Sequence, residues 1–301
     1  LKAYIKNTLK NILRNRMIQK KETFFAERLP AIDTSTFLQV NIEGNEVNFK
    51  HSGHLGDIIY AIPAMLSLAQ GRKINLLMHL GQPGVYSSKM KHPNGTAKLN
   101  AKSVELLTSL LLNQPQFNSI QVYTSQHVHY DLDLIHAYPL DLKMGSITHW
   151  YFWTFGITGD VTKPWLTATP DNSFKDAIVI SRTQRYRTPG INYSFLQQYP
   201  RIVFIGLDAE YQDLKQEIPH LEHCPVKDFE HMARVIAGSK LFIGNQSFAY
   251  ALAEALKVNR VLEIYPVCPN VIPGDSTGYA TCYQPQLEKI VKHLANQDIK
   301  H

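Results

Sequence analysis

Asp57 follows two glycines set three residues apart in His51-Ser52-Gly53-His54-Leu55-Gly56-Asp57. Gly53 and Gly56 let the backbone turn sharply and approach a ligand closely. The spacing therefore offers a carboxylate where a strand turns into a helix. Such a carboxylate is ionised at neutral pH and can accept a proton from an attacking hydroxyl. The same position suits a helix N-cap, whose side chain satisfies the first free N–H groups. The Gly-x-x-Gly spacing differs from the Gly-x-Gly-x-x-Gly dinucleotide fingerprint.

A second segment, Ala177–Ile180 followed by Ser181-Arg182-Thr183-Gln184-Arg185-Tyr186-Arg187, reads as a buried strand delivering hydroxyls and guanidinium groups into a loop. Arginine forks match phosphate oxygens, so Ser181, Arg182, Thr183, Arg185 and Arg187 form a candidate anion site. The plain alternative is a basic surface loop. A third segment ends a strand at Gly244 and passes through Asn245, Gln246 and Ser247 into a helix of small residues. Free N–H groups at a helix start can hold a diphosphate. Glu254, about two turns on, is either a partner for ribose hydroxyls or an exposed helix carboxylate.

Asp131-Leu132-Asp133 has the Asp-x-Asp spacing of a metal pair, but it lies in the alternating run Tyr130–Ile135 and reads as strand-edge carboxylates. His127, His129 and His136 have no partner pattern and read as structural. Cys224, Cys268 and Cys282 are widely spaced, with no C-x-x-C pair. They predict free thiols in a reducing compartment and no structural zinc. No metal and no bound cofactor are expected.

The elements that must carry these segments alternate. Phe37–Ile42 and Glu46–Lys50 read as a hairpin joined at Glu43-Gly44-Asn45. Helices are expected at Asp57–Gln70 and Ser103–Leu112, with strands at Lys73–His79, Ser119–Tyr123 and Tyr130–Ile135. Trp150–Gly159 and Lys163-Pro164 mark a transition. A second series has strands at Ala177–Ser181, Arg201–Gly206, Leu241–Gly244 and Val261–Tyr265, and helices at Asp228–Ala237, Ser247–Lys257 and Gln286–Asn296. Two such series predict an α/β protein of two doubly wound parallel sheets, with ligand in the cleft between them. The divisions fall at residues 1–30, 31–165 and 166–301.

The chain has 301 residues, 44% hydrophobic and 19% charged, with a formal charge of +6. That is a globular composition. No apolar run is long enough to span a bilayer, and no secretory signal opens the chain, so a cytoplasmic location is expected. Leu1 in place of Met suggests a longer native N-terminus. No zinc-finger, RRM or KH signature favours nucleic acid. In residues 1–30, Ala3, Ile5, Leu9, Ile12, Leu13 and Met17 recur at helical spacing among seven Lys and Arg residues from Lys2 to Lys21. They read as a basic helix, either docked on the body or lying on anionic lipid at the inner face of a membrane.

The three segments, in this order, resemble glycosyltransferases of the GT-B fold. They are most similar to the ADP-heptose:lipopolysaccharide heptosyltransferases of glycosyltransferase family 9, over roughly residues 46–266. The first segment is similar to that family's Ser-Leu-Gly-Asp loop, the second to its donor-phosphate loop, the third to its diphosphate loop. Asn245-Gln246-Ser247 stands where the family carries an acidic-Thr-Gly triplet, and Tyr250 about where it carries histidine. The resemblance implies a metal-independent, inverting transfer of a sugar from a nucleotide diphosphate sugar to a hydroxyl on a glycan or glycolipid. Asp57 would be the base, next to Gly53, His54 and Gly56 on the acceptor side. Ser181, Arg182, Thr183, Arg185, Arg187, Gly244, Asn245, Gln246, Ser247 and Glu254 would hold the donor. A nucleotide-sugar epimerase of the same fold, with His54 as a further acid/base group, and a silent nucleotide- or sugar-binding module are the alternatives.

Overall fold

A computed structural model describes residues 2–28, 41–84, 95–138 and 140–296. It opens with one helix, α1 (Lys2–Arg28). The first half then runs β1 (Glu46–His51), α2 (Leu55–Ala69), β2 (Lys73–Met78), α3 (Ala101–Leu111), β3 (Phe117–Val122), β4 (Tyr130–Asp131) and α4 (Ile147–Phe155). Its strands form a parallel sheet in the order β3-β2-β1-β4. The second half comprises β5 (Ile178–Ser181), β6 (Ile202–Phe204), α5 (Asp208–Glu217), β7 (Glu222–His223), α6 (Phe229–Gly238), β8 (Leu241–Asn245), α7 (Phe248–Leu256), β9 (Arg260–Glu263), β10 (Gly278–Thr281) and α8 (Gln284–Ala295). Its strands are also all parallel, in the order β10-β9-β8-β5-β6-β7.

Both strand orders reverse direction once, and the reversals position the site. From β5 the chain moves outward through β6 to β7, then returns to β8 on the other side and moves outward again. The connections leaving β5 and β8 thus diverge and open a crevice beyond their C-terminal ends. In the first sheet the reversal lies between β1 and β4. The loops after β1, β5 and β8 carry the three segments singled out by chemistry.

One apolar cluster runs through both halves, joining Ile58 and Ile62 of α2 to Phe155 of α4 and Leu252 of α7. The Trp165 indole, beyond α4, donates back to the Ile59 carbonyl at 3.1 Å. A second cluster, with Ile180, Phe204, Leu214 and Val291, covers the far face of the second sheet. The first sheet instead carries a polar ladder there, in which Asn75 Nδ2 donates to Glu46 (2.8 Å) and Asn48 (2.9 Å).

Several expectations change. Residues 37–40 of the expected hairpin lie outside the described residues, and 41–45 are not strand; β1 pairs with β2 and β4 instead. The strand expected at Tyr130–Ile135 stops after β4, because Asp131 Oδ1 accepts the Asp133 N–H at 3.0 Å and starts a 3₁₀ turn over Leu132–His136. The aromatic transition at Trp150–Gly159 is largely α4, packed on the core through Tyr151, Phe152 and Phe155. α5, β7 and β10 were not foreseen.

Candidate functional site

The β1–α2 loop is built from behind. His51 is 1% exposed; its Nδ1 accepts the Gly53 N–H at 2.8 Å and its Nε2 lies 2.8 Å from the Tyr151 hydroxyl. A Cβ on Gly53 would lie 2.5 Å from His51 Cε1, so the position requires glycine. Burial pushes the His51 imidazole below the usual histidine range, against the pull of Asp133 and Asp57. Asp133 Oδ1 accepts the Ser52 N–H at 2.9 Å, and Asp131 takes Lys50 Nζ at 2.5 Å. The Asp-x-Asp pair is therefore engaged in bracing this loop. Among the described residues, no group of three or more His, Cys, Asp or Glu side chains is arranged to hold a metal ion.

The cap of α2 is His54, in extended conformation, and Asp57 is the third helical residue. Asp57 Oδ2 accepts the His54 backbone N–H at 3.1 Å, the reciprocal half of a capping box. The N-cap role considered for Asp57 thus moves three residues back, and its carboxylate still lines the cleft. Burial lowers the His54 imidazole pKa; Asp57 opposes the shift and Arg185 and Lys98 add to it.

Across the cleft the three arginines have separate fates. Arg182 is 3% exposed, donates to both Glu263 carboxylate oxygens (2.7 and 3.0 Å) and to the Ile191 carbonyl (2.8 Å), and lies over the Tyr193 ring. Arg187 is paired with Asp213 and donates to the Thr183 carbonyl. Neither lines the cleft; both fold the loop that Arg185 presents to it. Tyr186, at φ +56°, makes the sharp bend beside Arg185.

Asn245 fastens this loop to β8: its Oδ1 accepts the Thr183 N–H (3.0 Å), and its Nδ2 donates to the Thr183 (3.0 Å) and Arg185 (2.6 Å) carbonyls. Gly244 is a packing requirement, since a Cβ there would lie 2.9 Å from the Ser181 carbonyl oxygen. Gln246 donates to the Cys268 carbonyl (2.6 Å) and accepts the Tyr265 N–H (2.8 Å). Ser247 caps α7 by accepting the Tyr250 N–H.

Glu254 does not face the cleft. It is 2% exposed, binds Lys257 Nζ (2.5 Å) and Arg260 Nε (2.6 Å), and accepts the Gly274 N–H (2.9 Å). It lines a separate cavity of about 60 Å³ with Tyr60 and Trp165. Tyr250 is also fully buried, among core groups near Arg260. The expectation of an exposed helix carboxylate is corrected, because a charge on an otherwise apolar helix is held only by buried partners.

The main cavity, about 450 Å³, receives His54, Gly56, Asp57 and Tyr60 from the first half, and Ser181, Thr183, Gln184, Arg185, Gln246 and Ser247 from the second. It leaves out Gly53, Arg182, Arg187, Gly244, Asn245 and Glu254, which lie behind it. Sequence reasoning missed Lys98 and Lys102, at and before the start of α3, and an apolar end formed by Leu207, Val226, Phe229 and Met232. Two lysines four apart entering an amphipathic helix were a readable signal; the apolar end resembled ordinary core. Glu210 was missed too. Its carboxylate accepts the Gln184 (3.2 Å) and Leu207 (3.4 Å) N–H groups, and burial raises its pKa.

No protein-family description matches the sequence, and no curated protein matches it. Solved structures do match in fold. The E. coli heptosyltransferase WaaC with ADP is similar at a TM-score of 0.55 and 12% identity, over 83% of this chain and 99% of that one. A glycosyl transferase family 9 protein from Veillonella parvula matches at 0.53 and 12%, over 87% and 92%. E. coli ADP-heptose lps heptosyltransferase II matches at 0.52 and 10%, over 83% and 98%. At these identities the likeness shows the shared GT-B architecture of two parallel-sheet halves around a cleft.

Proposed function

We propose that this chain is a glycosyltransferase that moves a sugar from a nucleotide diphosphate sugar to a hydroxyl acceptor, with inversion and without a metal. One observation carries the reading: a single cavity of about 450 Å³ holds Asp57 on one side, with Ser181, Thr183, Arg185 and the start of α7 on the other. The acceptor oxygen attacks the anomeric carbon while Asp57 takes its proton. The bond from that carbon to the diphosphate oxygen breaks, and its electron pair leaves with the diphosphate. Arg185 and the N–H groups at the start of α7 meet the developing negative charge. Lys98 and Lys102 add positive charge from the opposite wall. Asp131 and Asp133, the pair with metal-binding spacing, are committed to Lys50 and the Ser52 amide, which supports the metal-free reading.

The fold neighbours are described with ADP and as ADP-heptose enzymes, so ADP and ADP-heptose are the first ligands to examine. The decisive experiment is product analysis with EDTA present. A new glycoside is expected. An isomerised donor would mean an epimerase, binding without turnover would mean a silent module, and loss of nucleotide binding on chelation would overturn the metal-free reading.

A further inference from the structure

Every described side chain of α1 from Ile5 to Glu27 is exposed. A helix docked on the body would bury one face, and this one does not. Ile5, Leu9, Ile12, Leu13 and Met17 are 45–64% exposed. At 3.6 residues per turn they share an arc of about 140°. Arg16 and Lys20 interrupt that arc, with long stems that can carry their charges outward. Lys6, Lys10, Arg14 and Lys21 line one edge of it, and the opposite side carries Asn7, Asn11, Asn15 and Gln19 together with Ile18 and Phe25. From Lys6 to Glu27, six cations stand against two carboxylates.

A second surface adjoins the helix. Lys21 Nζ reaches Asp141 at 3.3 Å. Past Asp141, Met144 is 47% exposed and Trp153 of α4 is 65% exposed, with Trp150 edge-on to it at 4.7 Å. The neighbouring 265–274 loop is tied to this segment by Asn270 Nδ2 to the Leu142 carbonyl (2.9 Å), and it exposes Val267 and Ile272. Large apolar side chains left in water beside a basic apolar helix mark an interaction surface. Tryptophan suits the boundary between headgroups and hydrocarbon.

We infer that α1 and the Met144–Trp153 surface dock together onto an anionic lipid surface. The apolar arc enters the headgroup boundary and the flanking lysines and arginines pair with lipid phosphates. No helix among the described residues is long and apolar enough to cross a bilayer, so the helix lies on the surface. Charge complementarity selects the occupant, because an apolar arc edged by cations matches an anionic headgroup layer. This inference does not depend on the chemistry in the cleft.

Co-sedimentation of the full chain with vesicles tests it. Vesicles rich in phosphatidylglycerol should pellet the protein, and pure phosphatidylcholine vesicles should not. Binding should weaken as salt rises from about 0.1 to about 1 M. Lys6→Glu with Lys10→Glu should lower the partition coefficient about a hundredfold or more. Leu9→Glu with Leu13→Glu should abolish binding while melting temperature stays at the wild-type value, since neither residue packs on the body. Trp153→Ser should weaken binding and reduce the blue shift of tryptophan emission on vesicles. Wild-type protein left in the supernatant, or equal binding to neutral vesicles, overturns the inference. So does a concentration-dependent dimer that Leu9→Glu with Leu13→Glu dissociates while vesicle binding persists, which would assign the arc to a second copy of this chain.

Discussion

Asp57 has two jobs in this structure, and Asp57→Asn separates them. Its Oδ2 accepts the His54 N–H at 3.1 Å, and its side chain lines the cleft. An asparagine oxygen can accept the same N–H, so the helix start keeps its bond and loses only the charge. Exchanging a charged acceptor for a neutral one, and removing a favourable charge near a helix N-terminus, costs about 1 kcal/mol. In a chain this size that lowers the melting temperature by about 1.5–2 °C. A base is different, because the amide takes no proton at neutral pH. Its loss slows transfer about a hundredfold to ten-thousandfold. The assay measures melting temperature, ADP affinity and glycoside formation on one preparation. The expected pattern is a small thermal shift, near wild-type affinity and a collapsed rate. Retained turnover would refute the assignment and return Asp57 to helix capping, with His54, neutral and in the same cavity, next to be replaced.

Arg185→Ala should weaken nucleoside diphosphate binding by about 1.5–3 kcal/mol, the scale of a charged hydrogen bond; calorimetric titration beside Arg187→Ala, whose guanidinium is paired with Asp213, should show the larger loss for Arg185. Glu254→Gln should destabilise the fold by about 1.5–3 kcal/mol, because buried Lys257 and Arg260 then meet a neutral amide, with Asp275 as the carboxylate that remains to Arg260; denaturant midpoints read this, and unchanged stability with lost nucleotide affinity would restore a ribose role. His51 should make stability depend on pH. Its folded-state pKa is depressed by burial, so below the unfolded value of about 6.5 the unfolded chain binds the extra proton. Stability is then fully present above that value and falls as pH drops through it, by at most about 1.4 kcal/mol per pH unit until the folded value is reached. Urea midpoints for wild type and His51→Gln at several pH values should show a flatter slope for the variant.

Much of the fold was legible because its signals are local. Val47, Phe49 and His51 of β1 point into the core, and runs such as Ala177–Ile180 and Leu241–Ile243 are continuously apolar, as strands buried on both faces must be. Each such strand ends in small or polar residues, before the Thr183–Arg187 loop after β5 and before α7 after β8. α5 escaped because Asp208–Glu217 buries little beyond Glu210 and Leu214, so its periodicity is faint. Tyr130–Ile135 misled because alternation is a property of neighbours in sequence. The Asp131–Asp133 contact that ends β4 is a competing side-chain bond of the kind aspartate makes readily.

The site divides along the same line. Which loops would carry chemistry followed from residue type and from where strands must end. Which side chains would face the ligand depended on partners far along the chain. Arg182 and Arg185 are three residues apart and alike in sequence, yet Arg182 is claimed by Glu263, 81 positions away. Four charged or amide groups expected to hold a ligand, Arg182, Arg187, Asn245 and Glu254, instead hold the protein. Glu254 alone offered a readable warning. It is the sole charge in Phe248–Leu256, and a helix apolar all round is a buried helix. A carboxylate buried there must find a cation, and Lys257 and Arg260 stand three and six residues on. The isolated charge on an apolar helix therefore predicts an internal ion pair before it predicts a ligand, whereas Arg185, in a loop whose other charges are already taken, is left to face the cleft.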